Sequence, residues 1–181
     1  MSVQWYSEET DSESTFPDCP WALEFTDSTC IAIDRGDWDW EAGLNRNQVE
    51  ESEYIRDHAL RALYGNWSYL KNGFSRKAEF SDAALSWVSF VAGKRESRRL
   101  LGDYVLTECD LVGRNVQPDG TASATWTIDQ HYPWGKDHTG FSGEPFQAES
   151  RNTLIWPYPI PYRCLYSRNV GNLFMAGRGI S

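Results

Sequence analysis

The chain has 181 residues, with 26 Asp and Glu against 17 Lys and Arg, for a formal net charge of -9. Binding to a nucleic-acid backbone needs clustered Lys and Arg that displace counterions, and an acidic balance of this size excludes it. The length suits one domain burying roughly 70% of its unfolded surface. With nine Trp, nine Tyr and eight Phe, aromatic rings of about 150–250 Å² each are expected to dominate the core.

No run approaches the ~20 apolar residues that cross a bilayer. The opening Met-Ser-Val-Gln-Trp-Tyr leads into acids rather than a basic and then apolar leader, so a soluble, cytoplasmic chain with no membrane partner is expected. Cys19, Cys30, Cys109 and Cys164 are far apart and form no Cys-x-x-Cys pair, which reads as free thiols rather than a zinc or iron-sulfur site.

Residues 1–20 are acidic and Ser-rich and close on Phe16-Pro17-Asp18-Cys19-Pro20, an irregular lead-in with little core of its own. From Trp21 to Ile33 short apolar alternation predicts one or two strands, and Asp34 to Asp37 a turn. Alternation next puts Trp38 and Trp40 on one face of an extended segment and Asp37, Asp39 and Glu41 on the other. The longest periodic stretch predicts a helix from Val49 to Asn72, with Asn47 as N-cap, Glu50 in a capping box and Gly73 as its stop. Ile55, Ala59, Ala62, Leu63 and Leu70 share its apolar face. Asn66 falls inside that stripe and Arg56 at its edge, so both are expected to be buried and hydrogen-bonded, Arg56 to a carboxylate.

Ser81 to Ala92 fits a strand as well as a helix. Arg99 to Thr107 reads as a strand around Gly102, Asp110 to Asn115 as a turn or short helix, Gln117 to Gly120 as a turn, and Ala122 to Asp129 as a strand. Tyr132 to Ser150 is rich in Gly, Pro and polar residues and reads as a long surface loop. Leu154 to Tyr166 carries three prolines and suits an edge strand, and Asn172 to Ala176 a final buried one.

Three clusters carry chemistry. Gly93-Lys94-Arg95-Glu96-Ser97-Arg98-Arg99 is the densest cationic run. In extended form Arg95 and Arg99 share a face able to hold a carboxylate or phosphate, unless they simply pair with Asp103 and Glu108. Asp129-Gln130-His131, followed by Asp137-His138, presents carboxylates and imidazoles after a strand. His131 is the candidate acid-base group there, with a metal site as the other reading and His138 as a structural residue. Gly177 and Gly179 bracket a turn that lets backbone approach a ligand closely. Nucleophile schemes lack support, since no Gly-x-Ser-x-Gly elbow occurs.

The run from Tyr158 to Arg178, Tyr-Pro-Ile-Pro-Tyr-Arg-Cys-Leu-Tyr-Ser-Arg-Asn-Val-Gly-Asn-Leu-Phe-Met-Ala-Gly-Arg, resembles the C-terminal signature of a family of FAD-dependent oxidoreductases. Trp38 to Glu41, Ile55 to Asp57, Tyr64 to Trp67, Leu70 to Asn72, Gly93 to Tyr104 and Trp126 to His131 extend the likeness over most of the chain from Trp21 onward. The family is similar to the glutathione-reductase-like flavoproteins, in which Gly-x-Gly-x-x-Gly grips the FAD pyrophosphate and a second domain covers the flavin ring. That fingerprint does not occur in these 181 residues. The resemblance implies that Gly177, Arg178 and Ser181 touch the ribityl-phosphate region of FAD, although an acid is common where this chain has Arg178. It also groups the chain loosely with the flavin subunit of heterodisulfide reductases, whose [4Fe-4S] cluster the scattered cysteines do not support.

The resulting expectation is an α+β fold with three parts. Residues 1–20 form the lead-in, residues 21–157 a substrate-covering domain with a mixed sheet and one long helix, and residues 158–181 the truncated return segment of an FAD-binding domain. The dinucleotide-binding half is expected outside this chain, as its partner. The function expected is hydride transfer between a small organic substrate and flavin, with the chain inactive alone. In that scheme His131 moves a proton, Arg95 and Arg99 bind an anion, and Trp38 and Trp40 line the pocket. The alternatives are a carbohydrate-binding module that uses the Trp-rich face around Trp38 to Glu41, and an inactive truncated gene product.

Overall fold

The computed structural model describes residues 1–33, 40–94, 98–133, 141 and 143–181. In chain order the elements are β1 (Ser2–Val3), β2 (Trp5–Glu9), β3 (Trp40–Glu41), α1 (Ser52–Asn72), β4 (Ala83–Val88), α2 (Glu108–Gly113), β5 (Gly120–Ala124), β6 (Ile128–Pro133), β7 (Ala148–Thr153) and β8 (Tyr158–Pro161). The strands pair two by two, β1 with β3, β2 with β4, β5 with β8 and β6 with β7. The fold is α+β, built from small sheets and few helices. No helix among the described residues is long and apolar enough to cross a membrane.

The chain divides into two compact units, Met1–Lys94 with His131–Glu149, and Arg95–Gln130 with Ser150–Ser181. In the first unit α1 packs on β1 and β3. Its buried face carries Ile55, Ala59, Ala62, Leu63, Asn66 and Leu70, the stripe that the sequence periodicity predicts, and Trp67 beside them. Truncating Leu70 to Ala there costs about 2–5 kcal/mol. Rings fill the space around the helix. Trp5 meets Trp67 edge-on at 5.3 Å, Phe141 meets Phe146 at 5.0 Å, and Phe25 meets Phe141 at 4.8 Å.

The helix ends differ in how well the sequence marks them. Gly73 closes the C-terminus, its amide donating to the Tyr69 carbonyl at 2.8 Å. At the other end the N-cap is Glu51, not Asn47. Asn47 is spent one turn earlier, where its Oδ1 accepts from the Val49 amide at 3.0 Å. Within the helix, Gly65 lets the segment before residue 25 lie against α1: a Cβ at this position would stand 2.2 Å from the Leu23 carbonyl oxygen. Asn66 is buried and hydrogen-bonded as expected, to Ile31. Arg56 differs. Its side chain is 20% exposed, pairs at 2.7 Å with the adjacent Asp57, itself 59% exposed, and lies over the Phe90 ring. So solvated a pair contributes about 0–1 kcal/mol, and no buried carboxylate depends on it.

The first nine residues also depart from expectation. They form β1 and β2, with Met1, Val3 and Trp5 inside the core, because a period-two apolar pattern underlies the acidic composition. The lead-in is pinned by Lys71, whose Nζ donates to Ser14 Oγ at 2.8 Å and to the carbonyls of Phe80, Ser81 and Ala83 at 2.7, 3.1 and 2.8 Å. The stretch from Trp21 to Ile33 is turns and irregular backbone, not strands. Threonine hydroxyls take its hydrogen bonds, as when Thr29 Oγ1 accepts from the Thr26 amide at 2.8 Å. Ser81 to Ala92 resolves as the strand β4, and the C-terminal end of the expected loop at Tyr132 to Ser150 belongs to β7.

The second unit is built on β5 and β8, which run antiparallel with Ala122 opposite Ile160. Asp119 and Arg163 tie their ends together by hydrogen bonds of 2.9 and 3.0 Å. Thr107 and Asp110 form a capping box on α2, and Asp110 also accepts from Tyr104 Oη at 2.6 Å. Arg99 to Thr107 is not a strand. Its amides find single scattered carbonyls, Leu100 donating to Gly179 and Tyr104 to Arg163, rather than a ladder. The expected buried strand at Asn172 to Ala176 is exposed, with Phe174 at 57%. It keeps one bridge, Tyr166 to Phe174, and the two rings pack with Tyr162.

Candidate functional site

Glu41 ends β3 with its side chain only 6% exposed, so its charge needs partners close at hand. It has them on two other strands. His131 of β6 stands with Nδ1 2.5 Å from Glu41 Oε2, and Ser2 of β1 donates its hydroxyl to Glu41 Oε1 at 3.0 Å. The antiparallel register that sets Ser2 opposite Glu41 brings this about. His131 itself is 21% exposed at the side chain, so it meets both the buried carboxylate and solvent. An imidazole backed by a buried carboxylate is the arrangement in which histidine serves as an oriented acid or base.

Beyond β3 the chain enters a cleft of about 360 Å³ lined by Gly43, Leu44, Asn45, Arg46, Glu51, Glu144 and Pro145. Arg46 grips Glu144 with both fork nitrogens at 2.6 and 2.8 Å, also reaches Glu51, and lies over the Tyr54 ring. Arg46, with the Tyr54 hydroxyl assisting, holds the Glu144 carboxyl below its ordinary range. The ring nitrogen Nε2 of His58 lies 3.0 Å from the Glu144 carbonyl and donates to it. These charges satisfy one another, so the cleft wall is rigid and polar.

The predicted site residues divide between the units. Trp40 and His131 lie in the first, where Trp40 is 1% exposed against Phe146 and serves as core rather than as an open pocket wall. Trp38 and Arg95 lie outside the described residues. Arg99, Gly177, Arg178 and Ser181 lie in the second unit, and the Leu100 amide bonded to the Gly179 carbonyl at 2.8 Å sets Arg99 beside the C-terminal turn. Gly177 holds a positive φ of 59°, with nothing within 4 Å of where a Cβ would sit. Ser181 is buried, its amide donating to the Cys164 carbonyl at 3.0 Å.

Sequence reasoning missed Glu41, Ser2, Arg46 and Glu144. Alternation put Glu41 on the face opposite Trp38 and Trp40, and no local signal links it to a histidine ninety positions away. Among the described residues no group of three or more His, Cys, Asp or Glu side chains is placed to hold a metal. Burial raises the thiols of Cys19 and Cys164 and pushes Cys30 up to about 11, which keeps them from acting as thiolates.

The pyrophosphate of FAD needs a helix N-terminus presenting free amides. The first turn of α1 carries Glu53 behind its N-cap Glu51, and in the short helix α2 the Thr107 and Asp110 amides are taken up within the capping box, with Glu108 and Asp110 adding negative charge to that turn. The described residues therefore do not fit the pyrophosphate, whereas the open turn at Gly177 suits close approach by a flat group.

Comparison with known proteins gives one result. The model of the FAD dependent oxidoreductase family matches residues 6–181, nearly the whole chain. No curated protein and no solved structure matches. With the match running over both units, the chain belongs to the FAD dependent oxidoreductase family, whose chemistry is flavin-linked oxidation and reduction.

Proposed function

We propose that this chain is the substrate-side portion of a flavoprotein similar to the glutathione-reductase-like enzymes, transferring a hydride between a small organic substrate and flavin. The supporting observation is that the family match spans residues 6–181 while Gly-x-Gly-x-x-Gly occurs nowhere in them. A separate dinucleotide-binding half then supplies the pyrophosphate grip, with residues 21–157 as the covering domain and residues 158–181 as the return segment.

Within this reading His131 moves the substrate proton, since it joins a partly exposed imidazole to a buried carboxylate. Arg99, with Arg95, binds a substrate carboxylate or a cofactor phosphate, and Gly177 and Arg178 face the ribityl side. Trp38 lines the pocket, and Trp40 backs the strand that carries Glu41. A tie to the heterodisulfide reductase flavin subunit is a proposal on the same footing, and it brings no cluster that these four cysteines would hold. The rival carbohydrate reading depends on a face shared by Trp38 and Trp40. With Trp40 buried, that face loses a ring.

Co-expression with a segment bearing Gly-x-Gly-x-x-Gly tests the proposal. Co-purification of the two chains with bound flavin, bleached by small organic reductants and restored by dichlorophenolindophenol, supports it. A complex that never carries flavin counts against it.

A further inference from the structure

We infer that Glu41 is the positioning residue of the acid-base group and that Ser2 in turn positions Glu41, an inference that rests on the role given to His131 above. Neither residue is assigned by the family match or by the sequence pattern, and the two come from strands far from His131 in the chain.

The case is geometric. His131 Nδ1 stands 2.5 Å from Glu41 Oε2, closer than the roughly 2.7–2.9 Å usual for a charge-assisted N–H···O bond, so the two groups are in direct contact. The carboxylate is nearly closed off from water, so its orientation is set by protein groups rather than by solvent. Ser2 Oγ takes the second oxygen at 3.0 Å. Each carboxylate oxygen thus has its own anchor, one on β1 and one on β6, and the carboxylate plane is fixed.

The anchors are themselves held. Ser2 exchanges backbone hydrogen bonds with Gly93 at 3.1 and 2.8 Å, which fixes the main chain from which its hydroxyl reaches Glu41. Ala42, one residue beyond Glu41, is tied by its own amide to the Met1 carbonyl at 2.9 Å, which holds the end of β3. A ring that donates Nδ1–H to such a carboxylate is locked in one tautomer, and the proton it exchanges with substrate is then the one on Nε2. This differs from a merely structural histidine, whose tautomer has no bearing on turnover.

The test is nitrogen-resolved NMR of the imidazole rings in the full 181-residue chain, comparing wild type with Glu41→Gln, Glu41→Asp and Ser2→Ala, and using His131→Gln for assignment. In wild type the neutral His131 ring is expected as the Nδ1–H tautomer. Removing the carboxylate charge in Glu41→Gln should lower the His131 titration midpoint by roughly one pH unit or more, since the imidazolium loses its anion, and should shift the ring toward Nε2–H. Glu41→Asp should restore much of the wild-type midpoint, and Ser2→Ala should lower it by less than Glu41→Gln does. An unchanged midpoint and tautomer in folded Glu41→Gln overturns the inference. Should that variant fail to fold, the wild-type spectrum decides alone, because an Nε2–H ring at His131 is incompatible with the proposal. A His131→Ala enzyme with full turnover would instead remove the role of His131, while the spectra still decide whether Glu41 holds the ring.

Discussion

Asn66 closes both backbone groups of Ile31 at once: its Oδ1 accepts from the Ile31 amide at 2.8 Å, and its Nδ2 donates to the Ile31 carbonyl at 3.0 Å. A side chain in the middle of a helix thus supplies bonds that this irregular segment does not find in a sheet. Replacing Asn66 by Ala leaves the Ile31 amide without its acceptor, while the Ile31 carbonyl keeps the Ile33 amide at 3.0 Å, and one unpaired buried group costs about 1–3 kcal/mol. A loss in that range is expected in urea unfolding, and a near-neutral Asn66→Ala would show that water replaces the lost bond.

In the second unit, acid should act through two carboxylates. Arg163 holds Asp119 down to about 2, and Asn115, Tyr104 and Thr107 together hold Asp110 well below the ordinary carboxylate range. Both folded values lie under the unfolded value of about 3.9, so the stability they contribute is complete above that pH. It is lost as pH falls toward 2. Amide protection of α2 and β5 should therefore fade between about pH 4 and 2, and in Asp119→Asn that acid dependence should shrink. An acid profile identical to wild type would argue against the Asp119–Arg163 tie.

For the complete enzyme, His131→Ala should lower turnover by roughly 10²–10⁴ with bound flavin unchanged, as expected for loss of a general acid or base. Steady-state rates and the flavin spectrum together check this. Equal rates would reduce His131 to a packing residue.

Expressed alone, the chain should be colourless after gel filtration with added FAD. The C-terminal turn has few groups to offer beyond the unpaired Ser181 hydroxyl: the Gly179 carbonyl accepts from Leu100, and the Ser181 amide and carbonyl are bonded to Cys164 and Leu106. At about 0.5–1.5 kcal/mol for each remaining hydrogen bond, the sum falls short of the roughly 8 kcal/mol of a micromolar complex. Stoichiometric flavin in the protein peak would place the grip elsewhere in these residues.

What could be read from the sequence follows physical range. The helix α1 was legible because its period repeats over six turns and Gly73 marks its end, and the same phase placed Asn66 inside. Arg56 sat one step off that stripe, where a long side chain reaches its neighbour Asp57 and solvent instead of a buried partner. β1 and β2 were hidden because the inward Met1, Val3 and Trp5 alternate over only five residues, and the acids that follow dominate the bulk composition of the segment. Leu100 to Leu106 carries strand-like residues but no matching neighbour, since its bonds go one by one to Gly179, Arg163 and Ser181. At the site, the imidazole of His131 was visible as a chemical type. Its carboxylate was not, because Glu41 meets Ser2 and His131 only through contacts between strands far apart in the chain.

The four oxygens around Lys71 make its amine a clock for the lead-in. Lys77 and Lys94 are exposed and would be acylated at once by an amine-reactive label. Lys71, half-buried and held by Ser14 and by the carbonyls of Phe80, Ser81 and Ala83, would be modified more slowly, so mass spectrometry of that reaction would time the opening of this cluster.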